Sequence, residues 1–177
     1  MKISRNATRP QHIYCDNTAY FITAATWQHR RILNNTIKTE LIKLLQEVFA
    51  EYKWSLNAWV ILDNHYHVLC QSKKGKDLSK IINKVHNLSA QSIATPLPTK
   101  EKVWYNYWDY CPRDKKDYNI RLCYLLNNPV KHGYVSDLHD WPWSSFHELY
   151  KTTGREALQK KFKEYSDYRS LELAEDA

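Results

Sequence analysis

A chain of 177 residues with 43% hydrophobic residues and a formal net charge of +7 fits one domain with a real core, and its basic character points to a polyanionic partner or a solvated basic surface. Four scattered cysteines (Cys15, Cys70, Cys111, Cys123) without a C-x-x-C pair argue against a cysteine zinc site or a disulfide framework. The basic start MKISRNATRPQHIY lacks the apolar segment of a secretory signal or membrane anchor, so the expected compartment is the cytoplasm.

Taken in chain order, Thr18–Trp27 (TAYFITAATW) is aromatic and β-branched and reads as a strand. From Thr36 as N-cap, Ile37, Leu41, Leu44, Leu45, Val48, Phe49 and Tyr52 form the stripe of an amphipathic helix. SLNAWVILDNHYHVLCQS splits into two strands around Asp63-Asn64, a pair that tolerates a tight hairpin turn. After KKGK, Leu78, Ile81, Ile82, Val85 and Leu88 mark a second helix, with Lys80, Lys84, Asn87 and Gln91 on another side. Pro96 and Pro98 in TPLPT end it, and VWYNYWDYC (Val103–Cys111) reads as a fourth strand.

This order is the ferredoxin-like βαββαβ arrangement of an α+β fold, an antiparallel sheet with helices on one face and the other face open. A further helix begins at Asp114 as N-cap and packs through Tyr118, Leu122, Leu125 and Leu126; Pro129 is expected to stop it at Asn128. REALQKKFKEY reads as a short helix leading to a mobile acidic tail. Residues 164–177 carry −4, which leaves +11 on residues 1–163. The expected division is a domain over 1–150 and an extension over 151–177, partly helical with the acidic tail.

On a strand His65 and His67 share a face, where two neutral imidazoles can bind one divalent cation if a third ligand is supplied; two incidental strand histidines fit the pair equally well. On the helix after strand four, Asp117, Arg121, Tyr124 and Asn128 lie together, away from the packing stripe. Two histidines, a tyrosine and an amide suit phosphodiester chemistry: a metal on His65, His67 and the Asn128 carbonyl oxygen polarises a phosphate, and the Tyr124 hydroxyl attacks phosphorus. The 14% aromatic content adds single-stranded nucleic acid to the candidate partners, because bases stack on exposed rings.

These residues resemble a known family. NHYHVLC is similar to the His-hydrophobic-His strand of HUH single-strand DNA nucleases, and YLLNNPVKHGYV followed by DWPWSSF resembles the REP-associated tyrosine transposases, single-tyrosine transposases of the IS200-like type. The likeness runs from about Ile13 to Tyr150 and includes NAWVILDNH. It implies metal-dependent nicking and joining of single-stranded or hairpin DNA at palindromic repeats, through a 5′-phosphotyrosine link that leaves a 3′-hydroxyl. By resemblance Tyr124 is the nucleophile, His65, His67 and Asn128 are the metal ligands, and the cofactor is Mg²⁺ or Mn²⁺.

The family often has Gly-Thr at the start of the first strand, in a segment linked to hairpin recognition, where this chain has Asn17-Thr18. Candidate DNA contacts are Arg30, Arg31, Lys73, Lys74, Lys76, Arg113, Lys115, Lys116, Arg121, Lys131 and His132. Arg121 has a second reading, an i, i+4 pair with Asp117. A hairpin-binding module that does not cut is the alternative function. A small RNA-binding ferredoxin-like protein is a third, but its lysine/arginine-glycine-aromatic signature is missing. The assembly is expected to be a monomer or homodimer, with the tyrosine acting in either its own chain or a partner's.

Overall fold

The computed structural model describes residues 12–94 and 102–173; the expected break at TPLPT and the last four residues of the acidic tail lie outside them. Strands β1 (Ala19–Thr26), β2 (Ser55–Ile61), β3 (His65–Gln71) and β4 (Trp104–Tyr110) form one antiparallel sheet of order β2-β3-β1-β4. Helices α1 (Asn35–Glu51) and α2 (Leu78–Ala94) complete the βαββαβ order, and α3 (Lys115–Lys131), α4 (Phe146–Thr153) and α5 (Arg155–Glu164) follow. No helix among the described residues is long and apolar enough to cross a membrane.

Alternation along the strands sorts two cores. Tyr20, Ile22, Ala24, Tyr66, Val68 and Cys70 face α1 and α2, where they meet Leu41, Leu45, Phe49, Ile81, Ile82 and Val85. Phe21, Leu69, Ala58 and Val60 face the other way, onto Leu122, Leu125, Leu126 and the C-terminal segments. The expectation of an open second face is therefore corrected. β1 and β3 carry apolar residues on both sides, so both sides need cover.

Three local expectations also change. The N-cap of α1 is Asn34, whose side chain accepts from the Ile37 amide (3.0 Å), and Thr36 lies inside the first turn. Leu88 is 41% exposed, at the rim of an open groove between α1 and α2 lined by Ile37, Leu41 and Leu44. α3 runs through Pro129 to Lys131, because the missing amide of Pro129 frees only the Leu125 carbonyl, one turn from the end. Its stop is Gly133 (φ +70°): Tyr134 N donates to Pro129 O (2.9 Å) and Gly133 N to Val130 O (3.0 Å), a Schellman ending.

The described residues after α5 pack on the domain. Tyr168 is buried against α3 and Asp167 pairs with Lys116 (3.2 Å), so the expected mobility does not extend to these residues.

On the α1/α2 side His86 stacks on Trp104 (4.5 Å) and bonds the Tyr66 hydroxyl (3.1 Å), and burial pushes its pKa down to about 3. The unfolded chain takes up this proton near 6.5, the folded chain only near 3, so stability rises with pH across that window. Below about pH 6.5, stability is expected to fall by about 1.4 kcal/mol per pH unit for this group, read from urea midpoints. His86→Phe should flatten the slope; an unchanged slope would discount His86.

Candidate active site

The alternation of β3 turns His65 and His67 toward α3, with ring centroids 4.9 Å apart. α3 answers with three residues on one face, at spacings of four and three. The Asn128 carbonyl oxygen lies 3.2 Å from His65 Nε2, the Tyr124 ring meets His67 edge-on at 5.6 Å, and Lys131 Nζ donates to the Tyr124 hydroxyl (3.0 Å). His132 packs edge-on against His65 at 5.2 Å. The side of α3 that reads as polar is thus not a solvent face: Tyr124 is 1% exposed, because its polar residues oppose the polar residues of the sheet.

Neighbouring groups set the imidazole tautomers. The Asn64 Oδ1 accepts from His65 Nδ1 (2.8 Å), which leaves the Nε2 lone pair facing Asn128. Thr23 Oγ1 lies 2.7 Å from His67 Nδ1, so the hydroxyl can take that proton in the same way. Among the described residues, His67 Nε2 and Asn128 Nδ2 are buried without hydrogen-bond partners. Such an orphan costs about 1–3 kcal/mol, and nitrogen and oxygen lone pairs that face one another are relieved by a cation. Burial first, then the nearby His65, His132 and Lys131, hold the His67 pKa well below its ordinary value; the Asn128 amide, which faces the ring without well-formed hydrogen-bond geometry, opposes the shift. His67 is therefore neutral and ready to act as a ligand.

These donors fit a divalent ion. Adjacent ligands of an octahedral cation with bonds of ~2.1 Å stand about 3 Å apart, close to the 3.2 Å between His65 Nε2 and Asn128 Oδ1. Among the described residues no cluster of three His, Cys, Asp or Glu side chains is arranged for a metal, so two imidazoles and an amide are the available set. Without a carboxylate, such a site leaves positions for phosphate oxygens.

The candidate DNA contacts divide between the two ends of the sheet. Arg31, Lys131 and His132 lie at the His65 end, where the Arg31 guanidinium is 5.6 Å from the Tyr134 ring. Lys73, Lys74 and Lys76 are exposed beyond the far end of β3, about 20 Å from His67 by strand rise. Arg113, Lys115 and Lys116 are exposed at that same end, where α3 begins. Arg30 bonds the carbonyls of Trp27 (3.2 Å) and Lys102 (2.7 Å). Arg121 is buried, paired with Asp117 (3.2 Å) and stacked 3.5 Å from the Tyr110 ring, so it takes the i, i+4 pairing.

Sequence reasoning missed several residues that build the site. Asn64 reads as a turn former, yet it also holds His65, and its amide donates to His29 O (3.2 Å). Thr23 carries no signal until the β1–β3 register places it opposite His67. Lys38 looks like a solvated helix lysine but is 3% exposed, paired with Asp63 (2.7 Å) and sitting over Trp141 (4.8 Å) and Trp143 (4.3 Å).

The Asp140–Phe146 block forms a clamp beside β2. Trp141 Nε1 donates to Ile61 O (3.1 Å), Ile61 N to Trp143 O (2.9 Å) and Ser145 N to Trp59 O (2.9 Å). Loss of the buried indole in Trp141→Ala is expected to cost about 3–5 kcal/mol in urea unfolding; a loss below about 1 kcal/mol would show that the clamp is not structural.

Asn17, just before Thr18, has φ 49°, the left-handed region where glycine is favoured and asparagine tolerated. The segment is pinned by Thr18 N to Ser72 Oγ (2.9 Å) and Gly75 N to Asp16 Oδ1 (2.8 Å). A Cβ on Gly75 would come 2.6 Å from the Cys15 carbonyl oxygen, so glycine is required there.

Comparison with known proteins gives the chain's relatives. The family described as "Transposase IS200 like" matches residues 15–111, which include both site histidines and end before α3. A REP-associated tyrosine transposase of Escherichia coli (strain K12) is 29% identical over 136 residues, covering 72% of this chain and 80% of that protein. A relative from Haemophilus influenzae is 30% identical over 142 residues, covering 72% and 79%. A solved REP-associated tyrosine transposase bound to a REP hairpin superimposes with a TM-score of 0.73 at 25% identity, over 84% of this chain and 88% of that one.

Proposed function

The chain belongs to the IS200-like transposase family, and from that premise we propose that it nicks and rejoins single-stranded or hairpin DNA of the REP type with Tyr124 as nucleophile. The observation that carries this reading is the convergence of Tyr124, Asn128, His65 and His67 in one buried polar cluster built from β3 and α3. A structural role alone gives no account of a buried His67 Nε2 and Asn128 amide without partners.

In the proposed reaction the Tyr124 hydroxyl oxygen attacks phosphorus, the P–O3′ bond breaks, the phenolic proton is lost and the departing 3′-oxygen gains one. The 5′-phosphate stays on Tyr124, and attack by a 3′-hydroxyl on that phosphotyrosine reverses the step and joins strands. A divalent ion, Mg²⁺ or Mn²⁺, held by His65, His67 and Asn128 would polarise the scissile phosphate and offset the charge growing on its oxygens. Lys131 touches the reacting oxygen, and its ammonium opposes the charge that develops there in attack and departure. One chain brings Tyr124 to its own His67, which favours action in cis and requires no partner's helix.

Lys131→Ala is expected to slow single-turnover cleavage by about 10²–10³-fold with a much smaller change in hairpin affinity, and Lys131→Arg to recover part of the rate. Equal losses in affinity and rate would make Lys131 a binding residue only.

The overall test is a REP-type hairpin with single-stranded flanks incubated with Mn²⁺. The expected products are a covalent adduct on the 5′-phosphate side and a 3′ end that a polymerase extends. Tight binding without an adduct would favour the hairpin-binding module.

A further inference from the structure

Three aromatic side chains stand together outside both cores. Among the described residues, Trp27, Tyr105 and Trp108 belong to neither buried cluster and are partly exposed, with ring centroids 5.4 Å apart for Trp27–Tyr105 and 6.0 Å for Tyr105–Trp108. Each ring thus keeps part of its surface in water while packing in neither core, which leaves that surface free for a partner.

The sheet register shows where they lie relative to the site. Trp108 on β4 is opposite Thr23 on β1, which is opposite His67 on β3, and cross-strand partners share a face. With strands about 4.8 Å apart, the Trp108 backbone is about 10 Å from that of His67. α3 lies on the site face mainly over β2 and β3 and reaches β4 at Tyr110, whereas Trp108 and Tyr105 farther along this edge strand stay partly exposed, so the aromatic strip borders the histidines.

The backbone is held in an uncommon shape at this point. Gln28 (φ 56°) and His29 (φ 52°) are consecutive left-handed residues, a conformation that non-glycine residues adopt at a cost. The turn is held by Thr26 Oγ1 to Arg30 O (2.7 Å), Arg30 to the carbonyls of Trp27 and Lys102, and Asn64 to His29 O (3.2 Å). Asn64 also bonds His65, so one side chain links the loop that carries Trp27 to the site.

The charge is complementary to a nucleic acid strand. The exposed Lys102 places Nζ 4.7 Å from the Trp27 ring and 5.6 Å from the Tyr105 ring. The neighbouring carboxylate, Asp109, is opposite Ile22 on the other face and is bound to His12. Partly exposed rings beside an ammonium suit unpaired bases and their phosphates.

We propose that Trp27, Tyr105 and Trp108 are a stacking platform for unpaired bases of the DNA strand whose phosphate lies at His65 and His67. This rests on the reading of the chain as a single-strand nicking enzyme and specifies how the flank of the hairpin is held.

The test measures affinity of the full chain, without catalytic turnover, for three probes: a blunt REP-type hairpin, the hairpin with an oligothymidine flank, and the hairpin with the same flank made abasic. Wild type is expected to prefer the base-bearing flank to the abasic one. Tyr105→Ala should lose about 5- to 150-fold of affinity for the base-bearing flank alone, and Tyr105→Phe should retain it. Trp108→Leu is the second variant, with folding checked by circular dichroism. Equal binding of base-bearing and abasic flanks by wild type, or equal losses on all three probes, would overturn the platform while hairpin recognition stands. Wild type that binds none of the probes would overturn the parent reading as well.

Discussion

Tyr124→Phe is expected to abolish the covalent protein–DNA adduct and to slow strand cleavage by about 10⁴-fold or more, as removal of a nucleophile does elsewhere, with hairpin affinity close to wild type. The substitution suits the question because it removes one atom. Phenylalanine keeps the edge-on contacts of the ring with Phe21 (6.2 Å) and His67 (5.6 Å), so the packing between α3 and the sheet survives. The hydrogen bond from Lys131 is lost, which costs stability of about 1 kcal/mol in a partly exposed setting. Adduct yield on a denaturing gel, read beside urea midpoints, separates chemistry from folding. An undiminished adduct in Tyr124→Phe would remove this tyrosine from the mechanism.

The second large effect concerns the cation. Mn²⁺ at a hundredfold excess over its dissociation constant is expected to stabilise the DNA-free protein by about 2.7 kcal/mol, or about 5–10 °C in Tm, and chelation should reverse this and stop cleavage. The source is the buried His67 Nε2, whose lone pair has no hydrogen-bond partner among the described residues, beside the Asn128 oxygen 3.2 Å from His65 Nε2. His67→Gln should remove both the thermal shift and the cleavage, and leave hairpin affinity within a few-fold. Because burial first, and then the nearby His65, His132 and Lys131, depress the His67 pKa, the shift should persist somewhat below the ordinary imidazole value of 6.5. A shift that survives His67→Gln would place the ion elsewhere.

The βαββαβ order is legible in the sequence because each element announces its own period. The apolar stripes of α1 and α2 repeat at helical spacing, and β1 and β3 lie between turn signals. Two histidines two apart on a strand, and Tyr124 and Asn128 four apart on a helix, each share a face for geometric reasons that need no tertiary structure.

What the sequence hides is long-range. Pro129 reads as a helix end because the rule is local, whereas the stop is Gly133, through two hydrogen bonds from Gly133 N and Tyr134 N back to Val130 O and Pro129 O. Lys38 reads as solvated because nothing near it in the chain shows Trp141 and Trp143, more than a hundred residues away, closing over it. The polar side of α3 reads as exposed for the same reason: its partners, His65, His67 and Tyr110, lie on strands whose register only the folded sheet defines.

The basic residues teach a related lesson. Lysine and arginine mark a surface by composition, yet Arg121 lies buried against Tyr110 and Asp117, and Lys131 reaches the Tyr124 hydroxyl. Position in the fold, and not charge, separates them from the exposed group of Lys73, Lys74 and Lys76.

The most direct measurement is mass-spectrometric mapping of the nucleotide left on the protein after a REP-type hairpin is trapped with Mn²⁺ and digested. The expected result is a 5′-phosphodiester on the peptide containing Tyr124, absent when the metal is chelated. A nucleotide on any other residue, or an equal yield in the presence of chelator, would contradict the assignment of Tyr124 and its histidine-held cation as the centre of the chemistry.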